Sequence, residues 1–187
     1  MPDHPQSDEQ ILACLRNDAS REAGFRALLE KYQERLYWHI RRMVFSHEDA
    51  NDVLQNCLIK VFRFIDQFEE RASLYSWLFR IASNEAITFL QQRRKQMGIS
   101  LEEPQAFLVT TLPSDPYFDG NELQEKLQIA LQALPDKQRQ VFLLRYYEEM
   151  SYREIAHTLD TSEGALKASF HHAVKKIERY LLENIVN

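Results

Sequence analysis

An all-α protein, built as two small helical domains joined by an irregular linker, is what this sequence predicts, and three observations carry the prediction. Gly and Pro punctuate helices, and here they are unevenly spread. Only Gly24 interrupts the stretch from Arg21 to Gln96; Gly98, Pro104, Pro113, Pro116 and Gly120 then fall within 23 residues, and only Pro135 and Gly164 follow. Apolar residues on both sides of that break recur every three or four positions, the helical period. Strand signals are weak throughout, and no segment repeats. The expected boundaries are a first domain over 1–96, a linker over 97–121 and a second domain over 122–187.

In the first domain, Ser7 is placed to cap a short helix carrying Ile11, Leu12 and Leu15. A second helix starts near Ser20 and carries Phe25, Leu28, Leu29, Tyr32, Leu36, Ile40, Met43 and Val44. Ser46 with Asp49 resembles a capping box with Asp in place of the usual Glu. It opens a third helix that points Val53, Leu54, Leu58, Val61, Phe62 and Ile65 inward and shows Asp49, Asp52, Gln55, Asn56 and Lys60 on its other face. Next comes Asp66–Lys95, a short polar loop running into about six helical turns. At ~100° per residue, Leu74, Leu78, Ile81, Ala82 and Phe89 form an apolar stripe. Trp77, Arg80, Asn84, Thr88, Gln91 and Lys95 form a second stripe beside it. An aromatic, an amide and cations in one line suit a surface that reads another molecule; the competing reading makes Trp77 a core residue with solvated neighbours. Glu85 falls within the apolar stripe, where a partner such as Arg41 or Arg42, or a gap between helices, would accommodate it.

In the second domain, Leu123, Leu127, Ile129, Ala130, Leu131 and Leu134 mark one helix, and Pro135 suits the first position of the next, followed by Val141–Leu144. Ser151-Tyr152-Arg153-Glu154 fits the S/T-x-x-E capping box and starts a short helix with Ile155, Ala156 and Leu159 inward. After Asp160-Thr161-Ser162 a last helix begins, with Leu166, Phe170, Ala173, Ile177 and Leu181 on its inner face. Two helices across a three-residue turn make a helix-turn-helix, which in DNA-binding proteins places the start of the second helix in the major groove. The exposed early positions are Glu163, Gly164, Lys167, Ala168 and His171. Proteins that never touch DNA also contain this arrangement.

Composition narrows the function classes. The 187 residues are 44% hydrophobic and 27% charged, ordinary values for a globular protein. Every apolar run is far shorter than the ~20 residues that span a bilayer, and MPDHPQSDEQ lacks the basic head and apolar core of a signal peptide. The expectation is therefore a cytoplasmic protein without membrane insertion. Cys14 and Cys57 are isolated thiols without metal or disulfide spacing. His171 and His172 are adjacent, so they point ~100° apart on a helix and form no metal pair; no metal or cofactor is expected. A net charge of −5 argues against nonspecific nucleic-acid binding, but the acid is localised. Residues 1–95 carry 14 basic and 14 acidic side chains and residues 122–187 carry 9 and 10, whereas 96–121 carry none and 4. That acidic, proline-bearing linker reads either as a flexible tether or as an extended strand that docks in a partner's basic groove.

Two motifs, in fixed order, resemble a known family. Asp49-Ala50-Asn51-Asp52-Val53-Leu54-Gln55-Asn56 followed by Tyr75-Ser76-Trp77-Leu78-Phe79-Arg80-Ile81-Ala82-Ser83-Asn84 is similar to conserved region two of bacterial sigma factors. The run from Leu134-Pro135 through Ser151–Ala156 to Lys175-Lys176-Ile177 is similar to region four. The chain length resembles the extracytoplasmic-function (ECF) group of the sigma-70 family. The resemblance implies no enzyme, but a detachable subunit that directs RNA polymerase to promoters. Its partners would be core RNA polymerase, promoter DNA and an anti-sigma factor. By position, Asp49, Asp52, Gln55 and Asn56 would bind the core; family members usually carry Glu where Asn56 stands. Phe68, Ser73 and Asn84 would take in a flipped base of the minus-ten element, in a pocket with an aromatic wall and hydrogen-bonding groups, with Trp77 packing to position the loop. Arg80, Gln91 and Lys95 would follow phosphates, with Arg93 and Arg94 near the upstream duplex. Arg145, Lys167, Ala168, Ser169, His171 and His172 would face the minus-thirty-five element, with Lys175 nearby. There the chain departs from the family: Lys-Ala-Ser stands where two or more arginines are common, and each bidentate arginine is worth ~1–3 kcal/mol of discrimination. Weaker or altered base readout is expected. The competing readings are a polymerase-independent helix-turn-helix regulator and a decoy that occupies anti-sigma proteins.

Overall fold

The computed structural model describes residues 6–98 and 122–185. Eight helices account for nearly all of them: α1 (Asp8–Leu15), α2 (Arg21–Val44), α3 (His47–Phe64), α4 (Leu74–Gln96), α5 (Glu122–Gln132), α6 (Asp136–Tyr146), α7 (Tyr152–Leu159) and α8 (Glu163–Ile185). The acidic linker lies, from residue 99, outside the described residues.

The helix starts follow cap chemistry. Ser7 and Gln10 form a reciprocal capping box on α1, and the Ser46 and Ser73 hydroxyls accept from the backbone N–H groups of Asp49 and Ser76. Ser151 and Glu154 form a second full box, at 3.2 Å and 2.7 Å. Each satisfies donors that a helix start leaves orphaned. Pro135 is the cap residue of α6 rather than its first helical residue. The expected three-residue turn separates α7 from α8, with Asp160 in the left-handed region at φ 49°.

In the first four-helix group, α2 is the central pillar, and α1, α3 and α4 pack on it through Leu28, Leu36, Ile40, Met43, Val53, Val61, Leu74 and Leu78. The α1–α2 crossing is close because residue 24 is Gly: a Cβ there would stand 2.8 Å from both Cys14 Cβ and the Leu15 backbone nitrogen. Phe62, expected inward, is 42% exposed; it sits at the rim, where the Phe25 ring and the Arg21 guanidinium cover only part of it. The second group packs α5, α6 and α7 against α8 around Leu131, Leu143, Ile155, Leu166 and Ala173. Leu123 is 53% exposed at the start of α5 rather than inward, because the helix reaches cover only further along, at Ala130 and Leu131.

The two groups meet where α6 lies on α2 and α7 on α4. This junction is polar. Arg94 donates two hydrogen bonds to Asp136, at 2.6 and 2.7 Å, and Arg139 donates to the same carboxylate at 2.6 Å while lying over the Phe45 ring. Arg139 is 2% exposed, and burial pushes its guanidinium down to about 10, against the opposing charge of Asp136. Nearby, the Tyr75 hydroxyl donates to Glu148 at 2.6 Å. Arg35 approaches the same carboxylate at 3.4 Å, and His39 Nδ1 stands 3.8 Å away.

Burial alone would raise both acids. For Asp136 the hydrogen bond from Arg94 and the charges of Arg139 and Arg94 prevail; for Glu148, His39, Tyr75 and Arg35 prevail. Both carboxyls are thus held below their ordinary values of 3.8 and 4.5. A carboxyl lowered in the folded state contributes stability that is complete above its ordinary value and lost as pH falls through the folded one. Urea midpoints should therefore stay level on acidification until that range and then drop, with a smaller drop in Asp136→Asn than in the unaltered chain. An equal drop in both would show that this carboxylate contributes nothing.

Candidate nucleic-acid interface

The loop before α4 is shaped from outside. One 3-10 turn, Ile65–Gln67, delivers Phe68, whose N–H donates to the Ile65 carbonyl at 3.1 Å. Arg16, just past α1, donates to the Phe68 carbonyl at 3.0 Å and pairs with Glu70. Arg21 pairs with Asp66 at 2.9 Å. Sequence reading found none of these ties, because their partners lie 45 to 54 residues apart. Phe68 is buried, with its ring 5.3 Å from Trp77. Trp77 is buried as well, so it leaves the outward stripe and supports the loop. Arg80, Asn84, Thr88, Gln91 and Lys95 are exposed along α4. The Thr88 hydroxyl donates back to the Asn84 carbonyl at 2.8 Å.

A cavity of about 430 Å³ opens beside this loop, within the ~300–1,000 Å³ usual for small-ligand pockets. Phe68, Trp77, Ser76, Arg71 and Arg80 line one side; His157, Thr158 and Asp160 of α7 line the other. Phe68 and Arg80 thus share one cavity. Ser73 and Asn84 do not line it, and the Ser73 hydroxyl is engaged in capping α4.

Residues expected to serve different partners touch one another. Asp49 is half-buried and paired with Arg93, whereas Asp52, Gln55 and Asn56 stand exposed on α3. Lys95 is exposed, but Arg94 is buried on Asp136. Glu85 is paired with Lys60 of α3, not with Arg41 or Arg42. Cys57 lies below that pair, its thiol pushed up to about 12 chiefly by burial and then by the Glu85 charge.

On the second group, Glu163, Gly164, Lys167, Ala168, His171, His172 and Lys175 are exposed on α8, and Ser169 is half-buried. Tyr152 organises the cations here. Arg145 and Lys167 lie 5.4 and 5.7 Å from its ring, and Arg145 donates to the Met150 carbonyl at 3.2 Å. Tyr152 was not singled out from the sequence, where it reads as the residue after a cap. Among the described residues no cluster of His, Cys, Asp and Glu is disposed to hold a metal ion, and none of their helices is long and apolar enough to cross a membrane.

Two four-helix groups, the second carrying a helix-turn-helix, define a class of all-helical two-module proteins. Residues 28–96 match the family model for Sigma-70 region 2, and residues 124–177 match that for Sigma-70 region 4. The ECF RNA polymerase sigma-E factor of Haemophilus influenzae is 30% identical over 163 residues, covering 83% of this chain and 86% of that protein. The RNA polymerase sigma-H factor of Pseudomonas aeruginosa is 26% identical over 184 residues, covering 94% of both. The solved sigma factor RpoE of Bartonella quintana, in complex with the anti-sigma factor NepR, superposes with a TM-score of 0.69 at 22% identity, covering 86% of this chain and 98% of that one. The chain belongs to the ECF group of the sigma-70 family of RNA polymerase sigma factors.

Proposed function

We propose that this sigma factor reads a promoter at two points, with residues 1–96 on the minus-ten element and residues 122–187 on the minus-thirty-five element. Among the structural observations, the cavity that brings Phe68 and Arg80 together beside the exposed α4 stripe supports the reading most. A base leaving the stack needs an aromatic or apolar wall and a few polar groups. The Phe68–Trp77 pair supplies the wall; Arg80, Asn84, Gln91 and Lys95 supply polar groups and positive charge along the strand. On α8, Lys167, Ala168, Ser169, His171 and His172 would face the duplex, with Arg145 and Lys175 toward phosphates. The core would be held by Asp52, Gln55 and Asn56, with Asp49 shared with Arg93. The chain performs no chemistry of its own in this reading and works in the cytoplasm, where an anti-sigma factor would restrain it.

The test is reconstitution with core RNA polymerase, followed by transcription from a promoter library. A chain that neither binds core nor changes promoter choice would sink the proposal; tight, sequence-specific duplex binding by the free chain would favour a polymerase-independent regulator. Asn56→Glu restores the carboxylate that family members usually carry at this exposed position and is expected to tighten core binding by a factor of roughly 1.5 to 5, the worth of one exposed ion pair. Unchanged affinity in a competition assay would remove position 56 from the contact.

A further inference from the structure

The outward face at the start of α8 is poor in fixed charge. Lys167 is its one Lys or Arg before Lys175; Ala168 and Ser169 follow it, and two histidines fill the next turn. His171 and His172 are both exposed. Their ring centroids stand 6.1 Å apart, and neighbouring side chains on a helix diverge by ~100°. The two imidazoles therefore fan out over a broad face.

No group of the free chain offers either ring a countercharge. Residues three and four positions apart are neighbours on a helix surface. For His171 these are Lys167, Ala168, Val174 and Lys175; for His172 they are Ala168, Ser169, Lys175 and Lys176. None is a carboxylate, and like charges at this spacing repel. Lys167 leans toward Glu163, at 3.9 Å, and toward the Tyr152 ring, while Lys176 donates to Gln138 of α6 at 3.1 Å. Among the elements packed against α8, α5 carries Glu125 and Lys126, α6 carries Lys137 and Arg145, and α7 carries Arg153 and His157. Asp136 of α6 is held by Arg94 and Arg139, and Glu154 of α7 by Ser151. Among the described residues no hydrogen bond or ion pair joins any of these groups to His171 or His172.

A DNA backbone supplies the missing countercharge, with one negative charge per ~1.7 Å of duplex. Imidazole changes charge between about pH 5 and 8, and once protonated it donates from both nitrogens. Lys and Arg stay charged throughout that range. A complex that binds more protons than its separated parts strengthens as pH falls, by the linkage that governs folding.

We propose that His171 and His172 make the hold of α8 on the minus-thirty-five duplex pH-dependent, each imidazole taking up a proton as it meets a phosphate and releasing it when the DNA leaves. The inference rests on the promoter reading for the identity of the duplex. With Lys-Ala-Ser on this face in place of an arginine-rich run, the two titratable donors supply much of the contact, and acidification tightens it.

The test uses holoenzyme reconstituted with core RNA polymerase, on a promoter it transcribes, at about pH 7.5 and about pH 6, which bracket the imidazole range. On acidification the affinity of the unaltered chain should rise about tenfold, and the slope of log affinity against log salt should steepen by up to ~0.9 for each imidazole on a phosphate. His171→Gln/His172→Gln should bind much as the unaltered chain does at the higher pH and lose both changes. His171→Arg/His172→Arg should bind at the higher pH as tightly as the unaltered chain does at the lower, with no pH response.

An equal pH response in all three chains would overturn the proposal, since the titrating groups would then lie elsewhere in the holoenzyme. A response that persists on a promoter fragment truncated to remove the minus-thirty-five duplex would overturn it as well. If the glutamine variant loses helical content, the arginine variant decides alone, and persistence of its pH response counts against the proposal. Failure of the holoenzyme to choose promoters would reject the promoter reading. The proton coupling is then decided by the full chain on a random-sequence duplex at low salt, where the unaltered chain must show the response and the glutamine variant must not.

Discussion

Phe79→Ala is expected to cost ~3–5 kcal/mol of folding stability, the usual loss for a large aromatic cut from a core. Phe79 is wholly buried, with its ring centroid 4.4 Å from Tyr75 and 5.1 Å from His39. Those two rings face Glu148, so the cavity would open beneath the junction as well as within the first group. His39 is also held on its other side, where Nε2 meets the Ser83 hydroxyl at 2.8 Å; an unsupported imidazole could then tilt away from Glu148. A domain of ordinary stability has roughly 5–15 kcal/mol to lose, so a sizeable unfolded fraction should be visible at 37 °C. Phe79→Leu keeps most of the volume and should lose less than half as much. Urea titration checks both; a loss below 1 kcal/mol for the alanine variant would mean that the neighbours collapse into the space.

Arg80→Ala tests the reading face where stability is not at stake. Arg80 is exposed and lines the cavity that contains Phe68, so its removal should leave the urea midpoint within about 0.5 kcal/mol. Losing one phosphate-directed cation should weaken open promoter complexes roughly tenfold. It should also reduce the slope of affinity against salt by about 1, uniformly across promoter sequences. Selective loss at one promoter base would instead assign Arg80 to base readout, and no change in either quantity would remove it from the interface.

Much of the fold was legible because its signals are local. Caps at Ser7, Ser46 and Ser151, the Gly/Pro cluster after Gln96 and the three-residue turn at 160–162 depend on neighbours a few positions away. The inner face of α8 followed from its period alone. What escaped was set by distant packing. Lys60 meets Glu85 only because α3 and α4 lie side by side, so the acid within an apolar stripe had no visible partner. α6 reads as a strong apolar run with charged flanks, yet Arg139 and Gln140 are buried with it. Periodicity cannot foresee that a second helical group will cover a polar face. For the same reason Arg94 reads from the sequence as a cation near the upstream duplex, and nothing local marks Asp136 and Glu148 as its and Tyr75's partners. The candidate site was half legible: the outward row from Arg80 to Lys95 emerged from helical spacing, whereas the placing of Phe68 against Trp77 and α7 needed the third dimension.

On the proposed promoter reading, the tie from Arg16 to the Phe68 carbonyl would give the first helix a part in recognition. α1 packs on α2, and by length and position it resembles packing material. Yet the loop that presents Phe68 is moored to the residue where α1 stops. Trimming this first helix, or shifting its register by one residue, would leave every side chain of the reading surface in place and slacken the frame on which the aromatic wall is hung. On the proposed promoter reading, selectivity for the melted strand would be partly written in a segment that need never approach DNA.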